Sequence, residues 1–162
     1  RYLMRNFKKF FISFFILAIP ASTFASANLD LWKRNQFDYG PCGHCAYLLS
    51  FTESKDRADF SEYSLHTREG YYTINLSGPK GTAVTLFGQE EFATNNGYLV
   101  IVKEDNKDIE ITDLEAFAPG EWTSVNDDYY GNYSVFYTPH QNFKSLIASI
   151  KWGKGPQSET GK

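Results

Sequence analysis

Two thiols three residues apart, with a histidine between them, are the sharpest chemical feature of this chain: Cys42-Gly43-His44-Cys45. An imidazole beside the first sulfur stabilises its thiolate and raises the oxidising power of the pair, which is the requirement for thiol–disulfide exchange. The same spacing also suits a plain structural disulfide, or a zinc ion held by Cys42, Cys45 and either His44 or His66. Of these the structural disulfide is the reading preferred here. His44, His66 and His140 are the only histidines, and their neighbours build no Ser-His-Asp or Cys-His-Asn arrangement, so they read as ordinary surface residues.

A second cluster of hard oxygens lies at Asn126-Asp127-Asp128, followed by Gly131 and Asn132. Asp127 and Asp128 are weak candidates for a calcium ion. The segment lacks the alternating acids and terminal bidentate Glu of an EF-hand loop, and a solvated turn leading into a strand is the preferred reading. No metal or other cofactor is expected. Aromatic side chains crowd the same region, with Trp122, Tyr129, Tyr130, Tyr133, Phe136 and Tyr137 close in sequence. On an alternating strand Tyr133, Val135 and Tyr137 share one face and Phe136 takes the other. Packing on both sides of a sheet explains them, while Trp122, Tyr129, Tyr130, Tyr133 and Tyr137 are also the candidates for a platform that binds a sugar ring or a protein partner.

The elements that must position these groups are strands. Tyr71–Ser77 alternates with Ile74 and Leu76 on one face, and Gly78-Pro79-Lys80-Gly81 turns the chain into Ala83–Phe87. After Asn95-Asn96-Gly97, the nearly unbroken apolar run Tyr98–Lys103 suits a central strand. Asp108–Thr112 follows with Ile109 and Ile111 inward, and the two runs are expected to pair as a hairpin. Thr112-Asp113-Leu114-Glu115 fits a capping box, predicting a helical turn over Asp113–Phe117 that Pro119 and Gly120 end. Tyr133–Thr138 is another strand. The last apolar stretch fits either period: Phe143, Leu146, Ile147 and Ile150 match a helix with Asn142 as cap, whereas Leu146, Ala148, Ile150 and Trp152 match a strand. The strand is favoured. Upstream, Ala46–Phe51 reads as a strand, and residues 28–41 are read as containing no apolar strand.

Everything before residue 28 has a different character. Arg5, Lys8 and Lys9 precede the apolar run Phe10–Ile19, and Ala25-Ser26-Ala27 places small residues where a signal peptidase reads them, so cleavage is expected to leave Asn28 as the terminus. The apolar run is about half the roughly 20 residues that span a bilayer. Residues 1–27 hold four of the 16 Lys and Arg and none of the 19 Asp and Glu, so the remaining 135 residues carry a formal charge of −7. Nucleic acid and anionic membrane surfaces, which need clustered cations, are excluded as partners, as is stable membrane insertion after cleavage. An exported chain also meets an oxidising compartment, in which Cys42 and Cys45 persist as a disulfide.

Two resemblances add to this. The Cys42-Gly43-His44-Cys45 tetrapeptide resembles the redox site of protein disulfide isomerases, which implies an oxidoreductase. That family's motif follows a buried strand and opens a helix, unlike the pattern here. Val84 to Gly97, with aromatics at Phe87 and Phe92, is similar to the first hairpin of a βγ-crystallin Greek key, and Leu146–Trp152, with Ser149, is similar to that family's final strand. A fainter echo pairs Phe87 and Phe92 with Tyr137 and Phe143. The resemblance implies a Greek-key fold; Lys144 and Ser145 stand where calcium-binding members supply oxygens, which implies a chain without that site.

The expectation is therefore an all-β, Greek-key β-sandwich with short helical turns: residues 1–27 a cleavable signal peptide, 28–70 an N-terminal segment of the same domain with the CxxC disulfide, 71–153 the sandwich, 154–162 a flexible tail. It is expected to be secreted or periplasmic and to act without catalysis, as a binding or structural module for a protein or carbohydrate ligand. Thiol–disulfide oxidoreductase activity and carbohydrate binding are the two named alternatives.

Overall fold

Tyr98–Lys103 is buried at every position, which on a pleated strand demands cover on both faces and a neighbour on each side. The computed structural model, which describes residues 26–34, 46–63 and 70–158, supplies both. Among the described residues nine strands form two antiparallel sheets: β1 (Asn28–Arg34), β2 (Ala46–Thr52), β3 (Tyr71–Ser77), β4 (Ala83–Phe87), β5 (Tyr98–Lys103), β6 (Ile109–Ile111), β7 (Trp122–Val125), β8 (Tyr133–Thr138) and β9 (Ser149–Trp152). The four-stranded sheet has the order β2-β1-β3-β6 and the five-stranded sheet β7-β8-β5-β4-β9. Cys42, His44, Cys45 and His66, and nearly all of the expected signal peptide, lie outside the described residues.

Alternation fixes what each sheet turns inward. Leu29 and Leu31 of β1, Tyr72, Ile74 and Leu76 of β3, and Ile109 and Ile111 of β6 meet Val84, Leu86, Leu99, Ile101, Val135 and Ile150 of the other sheet in one core. The two layers are thus a β-sandwich, with the apolar faces of both sheets removed from water by each other. Six of the strands read from sequence occur with the expected residues or within one of them at each end: β2, β3, β4, β5, β6 and β8.

Four expectations are corrected. First, residues 28–41 do contain a strand: β1 pairs with both β2 and β3, its alternation hidden because the third inward position is Lys33, buried with its ammonium 4.8 Å from the centre of the Tyr72 ring. Second, β5 and β6 are not a hairpin. Both edges of β5 are taken, by β4 and β8, so the chain crosses the sandwich and β6 pairs with β3. The crossing is pinned at the inward-facing Lys103, fully buried, whose ammonium donates to the Leu76 carbonyl at 3.3 Å and to that of Lys107.

Third, the capping box makes no helix. Asp113 Oδ1 accepts the Glu115 amide at 3.1 Å, closing a turn, and Glu115 Oε1 accepts the Lys144 amide at 3.1 Å. The carboxylate that would have closed the box thus serves a distant 3-10 turn, Phe143–Ser145. The final apolar stretch divides accordingly, its start forming that turn and its end forming β9. Fourth, the aromatic platform breaks up, as described below.

Two devices recur after strands. Phe87 and Phe92 touch at 5.8 Å between ring centres, and Tyr137 and Phe143 at 5.5 Å. Each pair spans a 3-10 turn with left-handed residues: Glu91 and Phe92 at φ of 55° and 59°, Asn142 at 58°. The chain after β9 turns back, and Gly155–Ser158 forms a further 3-10 turn; a Cβ on Gly155 would stand 2.6 Å from Thr85 Oγ1, so only glycine fits against β4 there.

Candidate functional site

The outer face of the five-stranded sheet carries a second apolar cluster, in which Phe87, Tyr98, Val100 and Val102 are buried and Ala83, Phe92 and Phe136 pack against them. Cross-strand register aligns Lys151, Thr85, Val100, Phe136 and Trp122 in one row over five strands. Beside it runs a chain of ring contacts: Phe92 to Phe87 at 5.8 Å, Phe87 to Tyr98 at 6.2 Å, Tyr98 to Phe136 at 6.2 Å and nearly parallel, Phe136 to Trp122 at 5.6 Å. Such offset and tilted contacts each contribute about 0.5–1.5 kcal/mol beyond the area they bury. They tie the buried rings of this cluster to Phe92 at one end and to the exposed Trp122 at the other.

At one end this surface becomes concave. Phe87, Phe92, Lys151, Trp152, Gly153, Lys154, Gly155 and Pro156 enclose a groove of about 440 Å³, within the range usual for ligand sites. Its wall on one side is the turn Glu90–Phe92, and on the other the chain that folds back after β9. Phe92 occupies left-handed backbone, φ 59°, which a bulky residue avoids at a cost of about 1–3 kcal/mol. The strain is held by three contacts. Ser149 Oγ donates to the Gln89 carbonyl at 2.6 Å and accepts the Phe92 amide at 3.2 Å, and the Glu91 amide reaches the Ala58 carbonyl at 2.7 Å.

The groove is cationic although the chain is acidic. The Lys151 ammonium lies 5.6 Å from the centre of the Phe92 ring, and Lys151 and Lys154 are both exposed. Thr85, fully buried, donates its hydroxyl to the Gly153 carbonyl at 2.9 Å, fixing where the returning chain leaves the strand.

The residues expected to form a platform are distributed over three places. Tyr133 and Tyr137 point into the core and are buried, so no surface ligand can stack on them; burial pushes both hydroxyls above the usual tyrosine range. Trp122 is 44 % exposed and belongs to the outer face. Tyr129 and Tyr130 sit in the β7–β8 turn, edge to face at 4.7 Å. Asp127 accepts the amides of Tyr129 and Tyr130 at 2.7 and 2.8 Å. Those bonds, Tyr130's first, hold its carboxyl below the ordinary range. Its charge is thus directed into the turn, and Asp128, exposed, gives its carbonyl to the Lys107 ammonium at 2.7 Å. Among the described residues no group of three or more His, Cys, Asp or Glu side chains converges as metal ligands would.

Sequence reasoning found Phe87, Phe92 and Ser149 through a family likeness but did not connect them with a groove. Lys151 and Lys154 were missed, and the one local signal was the Gly153 and Gly155 pair, which permits the reversal. Comparison with protein-family models, with curated proteins and with solved structures returns no match.

Proposed function

We propose that this chain is an exported, non-catalytic β-sandwich of Greek-key type that works as a binding module, with the Phe92 groove as its ligand site. The observation that carries the reading is the groove itself: a strained aromatic wall, buttressed by Ser149, facing two exposed lysines. Strained residues collect where a ligand has to be met. The ligand class that fits is an acidic saccharide, whose ring faces stack on Phe92 and whose carboxylates take charge-assisted bonds from Lys151 and Lys154. Carbohydrate binding thereby becomes the specific form of the module's function.

The crystallin-like reading is supported by the meeting of Phe87, Phe92 and Ser149, the residues on which that likeness rests, and the Greek-key reading by the return of β9 to lie beside β4. Export also favours a structural disulfide between Cys42 and Cys45. A thioredoxin-like redox centre needs a helix to begin at the motif, whereas strand β2 begins at Ala46, next to Cys45.

Titration calorimetry with an oligogalacturonate hexamer, and with a neutral glucan hexamer for comparison, tests the proposal. Saturable binding of the acidic ligand is expected, weakened at least about tenfold by Lys151→Ala with Lys154→Ala and by added salt. Equal affinity for both ligands, or affinity untouched by the double substitution, refutes it.

A further inference from the structure

We infer that the export leader is removed between Ala25 and Ser26, two residues before the junction that the Ala25-Ser26-Ala27 pattern indicates; the inference rests on the export reading above. Ala27 is part of the folded domain. Its side chain is fully buried, and a Cβ placed on Gly78 would stand only 2.6 Å from the Ala27 Cβ, so Gly78 is what leaves room for that methyl group. The Ala27 carbonyl accepts the Glu53 amide at 2.9 Å, extending the β1–β2 pairing by one bond, and its own amide points at Glu53 Oε2 from 3.4 Å. Cleavage after Ala27 removes the methyl group, leaves the space beside Gly78 empty and takes the acceptor from Glu53. Ser26, by contrast, is exposed. A new ammonium there sits in water.

The peptidase's own requirement is met equally well at the earlier bond. Thr23-Phe24-Ala25 has a small residue at each of the two positions that are read, as Ala25-Ser26-Ala27 does. Hydrolysis of the Ala25–Ser26 amide consumes one water, leaving a carboxylate on Ala25 and an ammonium on Ser26. Sequence alone does not separate the two bonds; the fold does, because one product keeps a residue that the sandwich uses.

The experiment is expression of the full chain in a secreting bacterial host, followed by intact mass and terminal sequencing of the exported product. Ser26 as first residue is the expected result, with Ala25→Phe abolishing that product. A chain beginning at Asn28 overturns the inference while leaving export intact. Full-length chain held in the cell rejects the export reading itself. A second measurement keeps the structural argument falsifiable: two chains released from a fusion to begin at Ser26 or at Asn28 are melted side by side. The longer is expected to melt several degrees higher, and equal melting temperatures show that Ala27 contributes nothing to the fold.

Discussion

Replacing Ser149 by Ala tests the joint on which the groove depends. Ser149 is fully buried, and its hydroxyl makes two bonds, as donor to Gln89 and as acceptor from Phe92. Each bond contributes about 1 kcal/mol net, and the loss rises because a partly buried carbonyl and amide are left without this partner. Relaxation of the left-handed turn returns part of its strain, of order 1 kcal/mol, so the expected loss is about 2.5 kcal/mol. For a domain of this size that is a fall of about 10 °C in melting temperature. Urea denaturation followed by tryptophan fluorescence should show a lower midpoint at unchanged slope, since the surface exposed on unfolding is the same. Ser134→Ala is the control. Its hydroxyl donates to the Glu104 carboxylate at 2.9 Å on the surface, so the same chemical change there should cost under about 0.5 kcal/mol. A loss at Ser149 no larger than at Ser134 would refute the claim that this hydroxyl holds the turn.

Gly88→Ala places a Cβ 2.1 Å from the Asn96 carbonyl oxygen, which forces the β4–β5 connection apart; a loss of about 3 kcal/mol in chemical denaturation is expected. Tyr72→Phe removes a buried hydroxyl that has no hydrogen-bond partner among the described residues, and should raise stability by about 1 kcal/mol. Burial pushes the Tyr72 pKa up to about 12. The wild type therefore loses stability as pH climbs from 10 towards 12, and denaturation across that range should show the loss shrink in Tyr72→Phe. Burial lowers the Lys103 pKa in the fold, against the opposing pull of Asp108 and then Asp105. The unfolded chain then binds more protons between the folded value and 10.5, so stability contributed by this group rises with pH in that window; Lys103→Met should flatten the rise, and an unchanged slope would show that Lys103 does not titrate there.

What could be read from the sequence was whatever depended on local alternation. Ile74 and Leu76, the run Tyr98–Lys103, and Val135 between two tyrosines fixed β3, β5 and β8 to the residue. Where an inward position is polar the signal failed, as at Lys33 in β1. It failed also where a strand is short: β7 has four residues and no strongly apolar face. Pairing was out of reach, since β5 followed by β6 looks like a hairpin until β8, thirty residues later, takes the free edge. The site divided in the same way. Phe87, Phe92 and Ser149 were visible as a pattern, but Lys151 reaches Phe92 through the pairing of β9 with β4, and Lys154 joins the groove through the reversal in which Gly155 fits beside Thr85, seventy positions away in sequence.

The end of the five-stranded sheet at β9 is closed by a short piece of chain from outside the sheet. Arg57 exchanges both backbone bonds with Ile150 at 2.9 Å, and Asp56 Oδ1 takes the Trp152 amide at 2.8 Å. Open strand edges are where proteins add to one another, and unlimited stacking needs two of them per sheet. With β9 stoppered, this sheet offers only the far side of β7 among the described residues. Two copies joined there by two-fold symmetry would use up the remaining edge of each, so association through this sheet ends at a pair and does not propagate into a filament.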